Sequence, residues 1–345
     1  MKQTFEFYIV NPNTWKDEKK LDSVISCTIN RDSSASTLGS ATIECSEILG
    51  ENYVRIYLVV FQNGGSEKIP LGTFLVQTPS VGFDGKRKTI SIDAYTPLLE
   101  LKENPLPVGY TILKGTEIMP IAATLCSENM RAPVVRAVED KTIETDFTAS
   151  LDDNWLSYLT DLISNANYEF ALDEMGQILF SPIQDTASLQ PVWTYNDDNS
   201  SILYPEISIE RDLYGIPNVV EVVYSKDSGY YYSKAVNDDW NSPISTINRG
   251  REIIHRITDP ELGGNPTQEY IDAYAEQTLR NLSKLEFEVT YSHGYCPVRM
   301  GDCVELNYSR ADLGLNHVKA KVISQSIKCE TGCPVEETAI VTMDV

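Results

Sequence analysis

The chain has 345 residues, of which 50 are Asp or Glu and 28 Lys or Arg, giving a formal net charge of −22. That balance argues against a protein that grips the nucleic-acid backbone, which needs a basic stripe to displace counterions. It equally argues against one held on an anionic membrane surface.

A composition of 42% hydrophobic and 9% aromatic residues is that of a globular chain long enough for two or three domains with their own cores. No stretch approaches the apolar length of a membrane span, and the opening Met1-Lys2-Gln3-Thr4-Phe5-Glu6 lacks a signal-peptide profile. Synthesis and folding in the cytoplasm is the expectation. The seven cysteines are odd in number and scattered, and several, such as Cys27, Cys45 and Cys126, sit in apolar runs, as buried free thiols do.

In chain order, 4–10, 24–30, 41–45, 53–61, 71–78 and 88–95 carry β-branched or aromatic residues between turn signals and predict strands. Asn63-Gly64-Gly65-Ser66 marks a hairpin tip, and the spacing of the runs suggests an antiparallel barrel or sandwich. Asn104-Pro-Leu-Pro-Val-Gly109 is a linker. Thr116 is the expected cap of a short helix with Ile118, Ile121, Ala122 and Leu125 on one face, and Pro120 falls in its first turn. A second helix, capped by Asp152 or Asp153, shows Trp155, Tyr158, Leu159, Leu162 and Ile163 on one face and ends at Asn165 and Asn167. Residues 168–172 and 177–182, joined through Asp173-Glu174-Met175-Gly176, predict a hairpin.

Strand patterning resumes near Ile202, with alternation at Ile207 and Ile209, a turn over 212–217 and a strand over 218–224. The stretch 225–266 is rich in Tyr, Asn, Asp and Gly, with one strand expected near 253–257. Pro266-Thr267 opens a helix with Ile271, Tyr274, Ala275, Thr278 and Leu282 on one face. Then Phe287, Val289 and Tyr291 point one way, as do Val304, Leu306 and Tyr308, which is the period of two of a half-buried strand. Gly301-Asp302 is the turn ahead of Val304. A polar connection over 310–316, a long strand over 318–328 and a final strand over 337–345 complete the chain.

The fold class expected is mainly β with α+β insertions. Two small antiparallel barrel-like domains, 1–103 and 201–345, bracket a helix–hairpin module over 104–200, and an insertion occupies about 225–284. The two β regions are expected to superpose and to be antiparallel throughout.

Candidate chemistry is sparse. His293, Cys296, Cys303, Cys329 and Cys333 gather near the C-terminus, but their spacings are not the close Cys-x-x-Cys pairs of structural zinc sites. Reduced, metal-free thiols are expected. His255, His293 and His317 are the only histidines, and no serine is framed by a Gly-x-Ser-x-Gly elbow. The carboxylate pairs Asp152-Asp153, Asp197-Asp198 and Asp238-Asp239 suit caps and solvated turns better than glycoside hydrolysis or calcium binding. Gly263-Gly264 lacks the Lys-Ser/Thr of a phosphate-binding loop. Tyr230-Tyr231-Tyr232 and Trp240 fit either a contact surface for sugar or protein or a packed hairpin. The expectation is no catalytic, cofactor-binding or metal-binding residue and no cofactor.

Across nearly its whole length the chain resembles the tail hub, or baseplate hub, proteins of tailed bacteriophages and related contractile bacteriocins. The resemblance is carried by residues 21–32, 39–45, 70–76 and 89–95, by Asn154-Trp-Leu-Ser-Tyr-Leu-Thr-Asp-Leu-Ile163 leading to 173–178, and by 214–222, 275–282, Arg299-Met-Gly-Asp-Cys-Val-Glu-Leu306 and 319–327. It implies two related β-barrels per subunit in a homotrimeric ring with a pseudo-sixfold face, joining a sixfold tail tube to a threefold spike or fibre. The implied partners are further copies of the chain, a tail tube or distal tail protein, a spike or tail fibre protein and a tape-measure protein. DNA would pass through without specific binding, and no membrane would be entered. The implied location is the tail tip or baseplate of a virion assembled in a bacterial cytoplasm. Many hubs of long non-contractile tails continue into a lytic or fibre-like part, whereas this sequence stops one strand after its second β region, which favours a compact hub with a separate spike. Two other function classes stand beside this one: a cell-wall hydrolase or cysteine endopeptidase of the tail tip, and a receptor- or carbohydrate-binding tail protein.

Overall fold

A computed structural model describes residues 2–62, 64–83, 85–86, 88–137, 141–199, 201–210, 213–225, 229–260, 267–283, 285–310 and 314–343. Asn63, Asp212, Gly263, Gly264 and Pro266, each named above in a turn, loop or helix start, lie outside the described residues. The chain divides into two compact units. One holds residues 1–207, 290–317 and 321–338, and the other 208–289, 318–320 and 339–345.

In the larger unit all six N-terminal strands form over the β-branched and aromatic runs that predict them: Lys2–Val10, Val24–Asp32, Gly39–Cys45, Tyr53–Gln62, Gly65–Phe83 and Lys88–Tyr95. A further strand, Asp17–Leu21, was not expected. Its sequence Asp-Glu-Lys-Lys-Leu carries almost no apolar signal, and it is held at the sheet edge by pairing with Lys2–Val10. Pairing is antiparallel from Asp17–Leu21 through Lys2–Val10, Tyr53–Gln62, Gly65–Phe83, Lys88–Tyr95 and Gly39–Cys45 to Val24–Asp32. Residues 28–32 then pair with 324–328 of the strand Leu315–Lys328. Among the described residues this path is open rather than a closed ring. Ile29, Ala41, Ile43, Ile56, Leu58, Leu71, Ile92 and Ala94 fill its inner face, joined by Ile327, Cys333 and Val335.

The mixed module has a core of its own, drawn from Leu98 to Phe180. Helix Trp155–Ser164 buries the five residues of the predicted face. Its cap differs from the expectation at Asp152 or Asp153. Asn154 occupies the N-cap, its Oδ1 accepting from the Ser157 N–H at 2.9 Å, while Ser157 Oγ accepts from the Asn154 N–H at 3.1 Å. Asp153 is not the N-cap but supports it, accepting from the Ser150 N–H at 2.7 Å and from the Ser157 hydroxyl at 3.1 Å. Thr116 is likewise not a cap: its hydroxyl donates to the Leu113 carbonyl at 2.8 Å, and Glu117 stands at the N-cap of Ile118–Asn129 with no capping bond from its side chain. The hairpin Tyr168–Leu172 with Ile178–Pro182 is as predicted. Strand Trp193–Asn196 was not expected, and it pairs parallel to Cys303–Tyr308.

In the smaller unit, Val219–Tyr224 lies between Tyr231–Val236, antiparallel, and Ile254–Thr258, parallel. Pairing in the second β region is therefore not wholly antiparallel, against the expectation: Ile254–Thr258, from the predicted insertion, pairs parallel to Val219–Tyr224. Helix Gln268–Leu282, capped by Thr267, packs on this sheet through Ile271, Ala275 and Leu279. The buried face is turned from the predicted one, since Leu282 is exposed and Leu279 replaces it.

Candidate functional site: a buried polar junction

The larger unit is tied together at the tip of the hairpin over 168–182. Asp173 Oδ1 accepts from the Gln177 N–H at 2.7 Å and the Gly176 N–H donates to the Asp173 carbonyl at 3.0 Å, closing the turn. Gly176 has φ +77°, and a Cβ there would stand 2.7 Å from Thr73 Cβ and 3.2 Å from Trp15 Cζ2, so glycine serves both the conformation and the close approach. The Met175 carbonyl accepts from Trp15 Nε1 at 2.7 Å and from Arg55 Nη2 at 3.0 Å. Arg55 is buried and reaches Asp17 Oδ1 at 2.8 Å and Thr73 Oγ1 at 2.9 Å, and Tyr57 donates to the other Asp17 oxygen at 2.8 Å. Arg299 donates to both oxygens of Glu174, at 2.8 and 2.6 Å, with Arg31 Nη2 at 3.7 Å from the same carboxylate.

Arg31 continues the network inward. Its Nη2 donates to the Leu71 carbonyl at 2.7 Å and its Nη1 to Gln325 Oε1 at 2.9 Å. Gln325 Nε2 donates to Glu337 Oε2 at 2.6 Å, and Tyr291 donates to Glu337 Oε1 at 2.5 Å. His293 Nε2 lies 3.5 Å from Glu337 Oε2 and 3.1 Å from the Tyr195 hydroxyl, which is also 3.1 Å from Cys296 Sγ. His293 Nδ1 is 2.8 Å from the Gly294 carbonyl.

Both ring nitrogens of His293 thus face groups able to accept, as an imidazolium requires. Burial alone would lower the pKa of His293, but the contacts with Cys296 and Glu337 outweigh it and raise it to about 10. The phenols of Tyr195 and Tyr291 are driven up, first by burial and next by the Glu337 charge. Arg31 is pushed down by burial and held up by Glu174. Every member of the cluster meets a partner, the condition under which a buried ionic group is tolerated.

Beside the hairpin tip lies a cleft of about 190 Å³ whose lining includes Arg31, Thr73, Thr96, Glu174, Arg299 and Asp302. Burial raises the carboxyls of Asp173 and Asp302. None of Tyr195, His293, Cys296 or Glu337 lines the cleft, and His293, Cys296 and Glu337 are 0%, 4% and 0% exposed. A Cys–His–Glu grouping that no substrate can reach holds a proton and fixes strands together.

The structure separates most residues singled out from the sequence. Only His293 and Cys296 of the C-terminal His/Cys group come together here, while Cys329 and Cys333 lie with Cys27 and Cys45 at the N-terminal core, and Cys303 is buried on its strand. Asp197 Oδ2 clamps the Ser309 and Arg310 N–H groups at 2.7 and 3.0 Å, which makes it a loop anchor. Asp239 folds its own turn by accepting from the Asn241 N–H at 2.9 Å. His255 is exposed on its strand, and the exposed His317 has Nδ1 2.5 Å from Glu305. Tyr230, Tyr232 and Trp240 are exposed, with Tyr231 packed against the smaller unit's core. Sequence reasoning missed Glu337, Gln325, Glu174 and Arg55. For Glu337 a signal existed: it shares the inward phase of Val335, Ala339 and Val341.

The sequence matches no protein-family model and no curated protein. Its fold is found in solved structures. The tail protein from Neisseria meningitidis MC58 aligns with 100% of this chain and 97% of its own at a TM-score of 0.64 and 10% identity. The 43 kDa tail protein of prophage MuSo2 from Shewanella oneidensis aligns with 99% and 98% at 0.64 and 12%. Prophage tail protein gp18 from Listeria monocytogenes EGD-e aligns with 97% and 94% at 0.55 and 10%. The chain therefore has the fold of phage tail proteins, and the resemblance read from its sequence holds at the level of the fold.

Proposed function

We propose that this chain is a structural hub of a phage or phage-like tail tip or baseplate, a homotrimeric ring joining a sixfold tail tube to a threefold spike or fibre. The observation that carries the reading is the end-to-end fold likeness to three tail proteins, over 97 to 100% of this chain. A further likeness, to a PdpA–VgrG complex at a TM-score of 0.57 over 99% of this chain, supports a spike-type partner. The remaining partners are a tube or distal tail protein and a tape-measure protein, and the site of action is the virion tail. The three-part organisation over 1–103, 104–200 and 201–345 belongs to the same proposal, supported by the separate core drawn from Leu98 to Phe180.

The role is non-enzymatic. The grouping with the most reactive atoms, His293 with Cys296 and Glu337, is buried and fully engaged. The excess of acid, 50 residues against 28 basic ones, would line the ring's lumen and repel DNA phosphates passing through it. The test is copy number and charge in the assembled tail tip. Three copies around an acidic channel are expected, and an isolated ring would have three times 38.6 kDa, about 116 kDa. One or six copies per tail, a lumen lined by Lys and Arg, or hydrolysis of purified cell wall by the protein overturns the reading.

A further inference from the structure

Residues 24–32 and the strand Leu315–Lys328 come from opposite ends of the chain and pair antiparallel, with Lys328 opposite Thr28. One step further in the same register sets Cys329 opposite Cys27, and the Cys329 N–H donates to the Cys27 carbonyl at 2.9 Å. That bond is the pattern of a hydrogen-bonded cross-strand pair, in which Cα atoms typically stand about 5.5 Å apart. The same separation, about 5.5–6 Å, is the commonest one between disulfide-linked residues. Cys27 is buried in the core of the N-terminal sheet, and Cys329 is half-buried and packs on the same core. Their side chains therefore share one face, and both thiols are free.

We propose that Cys27 and Cys329 are a disulfide-forming pair, closed by a small disulfide oxidant such as oxidised glutathione and tying the first β region to the C-terminal segment. The half-buried Cys329 is the entry point. Its thiolate attacks the glutathione disulfide, releasing one glutathione thiolate and leaving a mixed disulfide. The Cys27 thiolate then attacks the Cys329 sulfur, the second glutathione leaves, and the two thiol protons are taken up by the released glutathione. One disulfide is reduced and one is formed.

The contact between the two thiols, together with burial, holds the Cys329 thiol well above its ordinary range. The thiolate fraction at neutral pH is small, and closure is slow there and accelerates about tenfold for each unit of pH. The pair stays open during folding in a reducing compartment and closes with long exposure to an oxidising one. The covalent step does not depend on the proposed tail function; only its use, hardening a particle that has left the cell, rests on that reading.

The experiment incubates the folded, full-length protein with oxidised glutathione at pH 7.0 and 8.5, quenches with an alkylating agent and maps peptides without reduction. Expected are a Cys27–Cys329 linked peptide, faster formation at the higher pH, and a melting temperature raised by about 5–10 °C and restored by dithiothreitol. Cys27→Ser and Cys329→Ser should each abolish the linked peptide, and Cys333→Ser should leave it intact. A link from Cys329 to Cys333, a stable glutathione adduct on Cys329 with Cys27 free, or seven unmodified thiols after oxidation overturns the proposal.

Discussion

Replacing Glu337 by Gln tests whether the cluster is an ion pair or only a set of neutral hydrogen bonds. Glutamine keeps the shape but removes the charge that balances His293. It also places an amide against Gln325 Nε2, which donates to Glu337 Oε2 at 2.6 Å and cannot simply flip, because Gln325 Oε1 is taken by Arg31 Nη1 at 2.9 Å. Breaking a buried pair by removing one partner costs about 3–5 kcal/mol. The proton affinity of His293 leads to a similar figure. A rise from 6.5 to about 10 through the contacts with Cys296 and Glu337 together, at about 1.4 kcal/mol for each tenfold change, amounts to about 5 kcal/mol, of which Glu337 supplies a part. Because the folded pKa lies above the unfolded one, this contribution is complete below pH 6.5 and is lost as pH rises through 10. The assay is urea unfolding followed by tryptophan fluorescence, informative here because Trp15, Trp155 and Trp193 all lie in the larger unit. The wild-type protein should exceed Glu337→Gln by about 3–5 kcal/mol at pH 6, and the gap should close progressively toward pH 10. Buried thiols and phenols weaken both proteins in alkali, so the difference between the two is the quantity to read. A gap below about 1 kcal/mol at pH 6, or one that does not change with pH, refutes the ion-pair account.

Two further substitutions test the frame around the junction. Gly176→Ala should cost about 2–4 kcal/mol in the same assay, combining backbone strain at φ +77° with the contact on Thr73 Cβ, whereas Gly115→Ala, at φ +85° with nothing within 4 Å of its Cβ, should cost only the strain of about 1 kcal/mol. Asn154→Ala should cost about 0.5–2 kcal/mol through loss of the cap, and Asp152→Ala, at an exposed position, less than about 0.5 kcal/mol.

Some strands were legible because burial on one face forces a period of two, as in Gly39–Cys45, and others, such as Tyr53–Gln62, because a continuous run of β-branched and aromatic residues is bounded by turn signals. The module's second helix was legible for the analogous reason at a period of 3.6. Its cap was not: Asp152, Asp153 and Asn154 are all good cap residues, and only the return bond from Ser157 decides among them. Gln325 was hidden by a change of phase: Ala320 and Val322 are buried at one parity of the strand, and Gln325 and Ile327 at the other. Asp17–Leu21 was invisible because an edge strand takes its order from its neighbour's hydrogen bonds, not from side-chain burial. The parallel pairings were out of reach altogether, since alternation fixes which face a residue occupies but not the direction of the strand beside it.

The placement of the charges bears on what such a chain is built for. Three of its arginines, Arg31, Arg55 and Arg299, are committed to contacts with Asp17, Glu174, Gln325 and the Met175 carbonyl. These contacts bring together segments near residues 15–73, 174–176 and 299–337, so one junction is assembled from three distant parts of the sequence. Closing such long loops costs little more than closing short ones, because the penalty grows only logarithmically with length, while unpairing any one buried charge costs several kcal/mol. The junction therefore resists partial opening: a segment cannot leave without stranding a charge contributed by another.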